Sequence, residues 1–206
     1  MWCPDISNGY FNVARHNKKA MVFKVSDDGA TLDCELEHDA DVCDIFFCHH
    51  GKFLLIGQEN DTYRVWDFAT RTKLKDIKGV SMKVMMQTNY QGSFAPDNHA
   101  LAVMGDEKKV YVYNTADLLT PDAVEPLVLE TDTKSCSITW SPDSDKMALG
   151  AWYETIVFNV ASKERIGKVQ ISAWDNVGSD VTNPKWINND TIVGKWDKSV
   201  RVIKLD

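Results

Sequence analysis

An all-β protein assembled from a repeated four-stranded unit is what this sequence predicts, on three observations. Two independent markers return along the chain with nearly the same period. Inside each period, short β-branched or aromatic runs alternate with turn residues, the pattern of consecutive strands. No segment carries a sustained apolar stripe at i, i+3, i+4, i+7 spacing, so almost no helix is expected.

The first marker is a strand core that recurs as Met21-Val22-Phe23-Lys24, Arg64-Val65-Trp66-Asp67, Tyr111-Val112-Tyr113-Asn114, Ile156-Val157-Phe158-Asn159 and Arg201-Val202-Ile203-Lys204. Its third residue repeats at spacings of 43, 47, 45 and 45. The second is an aromatic residue just before a turn, at Trp2, Phe47, Phe94, Trp140 and Trp186, with spacings of 45, 47, 46 and 46. A period of this size means repeated supersecondary units. The periods run 1–37, 38–79, 80–132, 133–172 and 173–206.

The fourth period displays the pattern most plainly. Ser137 to Trp140 reads as a first strand, and Ser141-Pro142-Asp143-Ser144 as a type I turn, for which Pro presets φ and Asp supplies a local acceptor. Lys146 to Gly150 and Glu154 to Val160 give the second and third strands. A polar turn at Ala161 to Glu164 leads to a fourth, Ile166 to Ile171. The longest insertion, Thr115 to Pro126, falls between the third and fourth strands of the third period and is expected as a surface loop.

These residues resemble the WD-repeat β-propellers, in which each repeat supplies one four-stranded blade. The second period matches best: His38 stands at the family's Gly-His position, with Glu37 in place of glycine, and Gly57, the turn at Asn60 and Trp66-Asp67 follow in order. The resemblance implies structural roles for His38, Asn60, Trp66 and Asp67. It implies a propeller of about five four-stranded blades with incomplete terminal blades. The chain is short for a seven-blade ring, which needs roughly 300 residues. Three readings stay open: a closed five-blade ring, an open propeller completed by another protein or by a second copy, and part of a larger propeller. The family's internal hydrogen-bond network is eroded, because only His38 supplies its histidine. Apolar packing between sheets, through Phe94, Trp140, Phe158 and Trp186, is expected to carry the rigidity.

Composition narrows the function. With 23 Lys and Arg against 30 Asp and Glu, the net charge of −7 lacks the basic excess that phosphate neutralisation on nucleic acid requires. No apolar run approaches the ~20 residues of a membrane span, and the N-terminal residues lack the pattern of a secretory signal. Cys3, Cys34, Cys43, Cys48 and Cys136 are odd in number and dispersed, which suits free thiols inside the cell, in cytoplasm or nucleus.

The chemistry-bearing residues point away from catalysis. Cys34, His38, Cys43, Cys48, His49 and His50 lack the paired short spacings of a zinc site, so no metal or other cofactor is expected. No nucleophile elbow, phosphate-binding glycine loop or dinucleotide fingerprint occurs, and no enzyme is expected. What remains is surface. By the resemblance, loops at one end of the blades bind partners, and there the sequence places Trp152, Tyr153, Trp174, Asp175 and Trp196, the residue types that dominate interface energies. Lys18, Lys19, Lys108 and Lys109 add positive charge suited to an acidic or phosphorylated peptide. The expectation is a non-catalytic scaffold for other proteins or peptides. The alternatives are a ligand-binding or catalytic propeller using its central channel, and an RNA- or ribosome-associated propeller.

Overall fold

The computed structural model describes residues 6–7, 9–15, 17–47, 51–78, 92–105, 108–118, 120, 125–132, 135–151, 154–170, 184–196 and 199–205, and the structural statements below refer to these. They are nearly all strand, and the expected fold class is the one found. Four sheets are four-stranded antiparallel meanders of the propeller-blade type, and a fifth has three strands.

The chain falls into two compact units. The first comprises Met1–Lys83 with Asn114–Val124, and the second Val84–Tyr113 with Glu125–Asp206. In the first unit, β1 (Ile6–Ser7), β2 (Tyr10–Arg15), β3 (Lys19–Ser26) and β4 (Gly29–Glu37) form one sheet, and β5 (Val42–Phe47), β6 (Phe53–Gln58), β7 (Thr62–Asp67) and β8 (Thr72–Lys78) another. The second unit holds β9 (Gly92–Phe94), β10 (Ala100–Met104), β11 (Lys109–Asn114) and β12 (Leu127–Glu130), whose β11 reaches one residue beyond the unit's boundary. It also holds β13 (Ser135–Trp140), β14 (Lys146–Ala151), β15 (Glu154–Asn159) and β16 (Arg165–Gln170), then β17 (Lys185–Asn188), β18 (Thr191–Trp196) and β19 (Ser199–Lys204).

In the first period Ile6, opposite Phe11, stands where Phe47 and Trp140 stand opposite Leu54 and Met147 in their sheets. Trp2 lies outside the described residues, and the short strand there is Ile6–Ser7. The insertion opens with one helical turn, α1 (Thr115–Leu118), started by Asn114, whose side-chain oxygen accepts the Ala116 N–H at 2.9 Å. Lys75 Nζ donates to the Asp117 carbonyl at 3.1 Å, tying this turn to β8.

Strand alternation gives every sheet two faces. The front carries the third residue of the first marker, and the back carries the valine before it. Within each unit the back of one sheet packs on the front of the next. Ala20, Val22 and Leu36 meet Ile45, Phe47, Leu54 and Ile56 in the first unit. Ala102, Val110 and Val112 meet Ile138, Trp140, Met147 and Phe158 in the second, where Ala148 and Val157 also meet Trp186, Ile192 and Ile203. Burying these side chains is the main stabilising term.

Polar bonds the sequence did not announce join the same sheets. Trp140 Nε1 donates to the Ser93 carbonyl at 3.0 Å, and Trp186 Nε1 to the Thr139 carbonyl at 3.2 Å, each reaching back 47 residues. The turns are stitched likewise: Asp97 N–H to Ser144 Oγ at 3.2 Å, and Asp143 N–H to Asn189 Oδ1 at 3.0 Å. Those turns need a left-handed residue, supplied by Gly51 (φ 63°), Asn98 (φ 63°) and Ser144 (φ 67°) at the matching position.

Candidate functional site

Meander topology sorts the turns of each sheet. The turn between the second and third strands and the exit from the fourth lie at one end; the other turns lie opposite. The first end is where the sequence placed its candidate residues.

Lys18 forms the β2–β3 turn, exposed and left-handed at φ 60°, and its carbonyl accepts the His38 N–H at 2.9 Å. Lys19 opens β3 and pairs with Glu35 at 2.8 Å. In the second unit, exposed Lys108 and Lys109 stand at the β10–β11 turn, and the Lys108 carbonyl accepts both the backbone N–H and the hydroxyl of Thr131. Each lysine turn is thus tied to the residue just past the fourth strand. Trp152, Tyr153, Trp174 and Asp175 lie outside the described residues. Trp196 is not in a loop, as the alignment of repeats had it, but ends β18 opposite Ser199, because the β18–β19 pairing extends that far.

The second sheet carries the densest charge arrangement. Arg64, only 5% exposed, sits across the strand pair from Asp76, and the two form a bidentate bridge at 2.8 and 3.1 Å. Arg64 Nη2 also donates to Asp39 at 2.6 Å, and Lys73 joins Asp76 at 2.6 Å. Burial works to raise the Asp76 carboxyl, but hydrogen bonds from Arg64 and Lys73 overcome it and hold the group below its ordinary range. The Arg64 hydrogen bond holds Asp39 low as well. These carboxylates stay ionised and paired at neutral pH, a poor state for general acid work.

His38 begins the β4–β5 connection, buried and edge-on to Trp66 at 5.7 Å between ring centres. Neither of its ring nitrogens, nor Trp66 Nε1, has a partner in hydrogen-bonding geometry. Burial, helped by the Arg64 guanidinium and opposed by Asp39 and Asp76, lowers the imidazole pKa to about 4. Asn60 lies exposed in the β6–β7 turn, where its carbonyl accepts Thr62 Oγ1 at 3.4 Å. Asp67 closes the opposite turn by accepting the Thr70 N–H at 2.8 Å, the bond that chiefly lowers its pKa.

Sequence reasoning did not single out Arg64, Asp76 or the second unit's counterpart. There Asp132 accepts Arg165 at 2.6 Å and Lys168 at 3.3 Å, and Lys168 reaches the buried Glu154 at 2.9 Å. The available signal was register: Arg64 and Asp76 become opposite neighbours once the β7–β8 turn is placed. Among the described residues, no group of three or more His, Cys, Asp or Glu is arranged to hold a metal ion. None of the described helices is long and apolar enough to cross a membrane.

No protein-family model matches the chain. Two WD-repeat proteins are similar to it. The B-type cell cycle switch protein ccs52A of Medicago truncatula is 25% identical over 57% of this chain and 22% of its own length. The transcription factor unc-37 of Caenorhabditis elegans is 28% identical over 68% of this chain and 21% of its own. The chain thus spans about a fifth of the length of these curated relatives. Their similarity supports the WD-repeat resemblance, and no particular member is singled out.

Proposed function

We propose that the protein is a non-catalytic interaction scaffold, a subunit of an intracellular protein complex, whose sheets hold partner-binding turns in fixed positions. The observation that carries this reading is the contrast between the sheets and their ends. The charged side chains within the sheets, Arg64, Asp76, Glu154 and Lys168, are consumed by one another. At the turns Lys18, Lys108 and Lys109 are exposed, on backbone pinned by hydrogen bonds to the next connection. Side chains presented from a rigid base lose little entropy on binding. Similarity to WD-repeat regulators supports a protein partner.

The partner class proposed is an acidic or phosphorylated segment with apolar positions. In this proposal the lysines meet its charge, and Trp152, Tyr153, Trp174, Asp175 and Trp196 supply the aromatic and polar contacts expected from the sequence. Affinity capture with the wild-type chain, a Trp152→Ala/Trp174→Ala variant and a Lys18→Glu/Lys108→Glu variant, read by quantitative mass spectrometry, tests this. A shared set of proteins depleted at least tenfold with both variants is expected. Identical captures from all three chains would refute the assignment.

A further inference from the structure

The Lys108–Lys109 turn and the Lys18–Lys19 turn occupy the same place in their sheets but are held by different devices. Arg15 faces Lys19 across the β2–β3 turn, and the Gly105 N–H donates to the Lys109 carbonyl at 2.8 Å across the β10–β11 turn. Arg15 and Gly105 therefore match, as do Met21 and Tyr111, each two residues beyond the second lysine.

In the second unit the missing side chain has a use. A Cβ on Gly105 would stand 2.1 Å from Cε2 and 2.7 Å from Cδ2 of Tyr111, so the ring rests on the glycine backbone at a distance any side chain would forbid. The far side of the turn is fixed as well. Thr131, only 6% exposed, gives the Lys108 carbonyl two hydrogen bonds, from its N–H at 2.8 Å and from its hydroxyl at 3.1 Å. At Lys18 the matching carbonyl takes the His38 N–H, and the imidazole nitrogens add no bond.

We propose that Tyr111 and Thr131 are positioning residues for Lys108 and Lys109: the ring on Gly105 and the doubled bond to the Lys108 carbonyl hold this turn in its partner-binding conformation. The inference rests on the scaffold reading, in which these lysines meet an acidic or phosphorylated segment. It adds that affinity at this turn depends on two uncharged side chains, one of them buried away from any partner. A turn held beforehand loses less conformational freedom on binding, so loosening it weakens binding with both lysines still in place.

A fluorescein-labelled peptide of glutamate, phosphoserine and leucine, titrated with the 206-residue chain and read by anisotropy, tests this alongside amide hydrogen exchange. Lys108→Glu/Lys109→Glu is the reference and should weaken the peptide at least about tenfold. Thr131→Val, which removes only the hydroxyl bond, and Tyr111→Ala should each raise the Kd roughly fivefold or more. Tyr111→Phe, which keeps the ring, should match wild type. In the two weakened variants the amides at positions 105 and 131 should exchange at least about tenfold faster while those of β14 keep their rates, a pattern that general loss of stability does not produce. Should Tyr111→Ala fail to fold, Thr131→Val decides alone. With the reference variant weakened, unchanged affinity or unchanged exchange at the turn overturns the proposal, as does exchange that quickens throughout the unit. A peptide bound equally well by Lys108→Glu/Lys109→Glu overturns the assignment of this turn as a binding turn, and the proposal with it.

Discussion

His38 stands at the position the WD-repeat resemblance marks, without the hydrogen bonds expected there. It is buried, it touches Trp66, and its ring nitrogens lack partners in hydrogen-bonding geometry. The unfolded chain protonates this imidazole near pH 6.5, the folded chain only near 4. Between those values the unfolded state binds more protons, so stability should fall as pH drops from about 6.5 toward about 4, by up to about 3 kcal/mol. Denaturant titrations at several pH values should reveal this slope and show it flattened in His38→Gln. Gly105 tests close packing instead: a Cβ there would stand 2.1 Å from the Tyr111 ring, so Gly105→Ala should lower stability by about 1–3 kcal/mol in urea unfolding. For Trp140→Phe, loss of the bond to the Ser93 carbonyl predicts a cost of about 1 kcal/mol. The sequence did not announce that last bond, since a Trp at the marker brings a donor that Phe94 and Phe47 lack but its acceptor lies a full period away.

At the scale of strands and turns, periodicity carried most of the information. Two markers located the strands, and the Ser141-Pro142-Asp143-Ser144 turn was readable because each turn residue has its own conformational reason for being there. The last residue of the first marker carries a signal that the sequence reading did not use: Asp67, Asn114 and Asn159 each accept a backbone N–H just beyond the strand. Asp67→Ala should therefore cost about 1 kcal/mol in the same unfolding assay. What stayed illegible was coupling between elements. Arg64–Asp76 depends on register, and Asp132–Arg165 joins residues 33 apart, beyond any local pattern. Removing Asp76 strands a nearly buried guanidinium with only the exposed Asp39 as partner, so Asp76→Ala should destabilise by about 2 kcal/mol, more than Asp39→Ala. The Trp196 placement failed for a related reason: repeat alignment fixes where a strand is centred, and pairing decides where it ends.

For the whole molecule, the proposed scaffold function divides into sheets that hold and turns that bind. Meander topology puts Lys18, Lys19, Lys108 and Lys109 at the turn between the second and third strands of their own sheets, and Lys52 and Lys163 at turns of the other kind in theirs. That arrangement gives the most direct test of the scaffold claim: amine-reactive cross-linking of the tagged chain with its cellular partners, followed by mass spectrometry of the linked lysines. A scaffold of this kind should give partner links concentrated on Lys18, Lys19, Lys108 and Lys109, with few on Lys52 and Lys163. Links spread evenly over both ends, or gathered on Lys52 and Lys163, would contradict it.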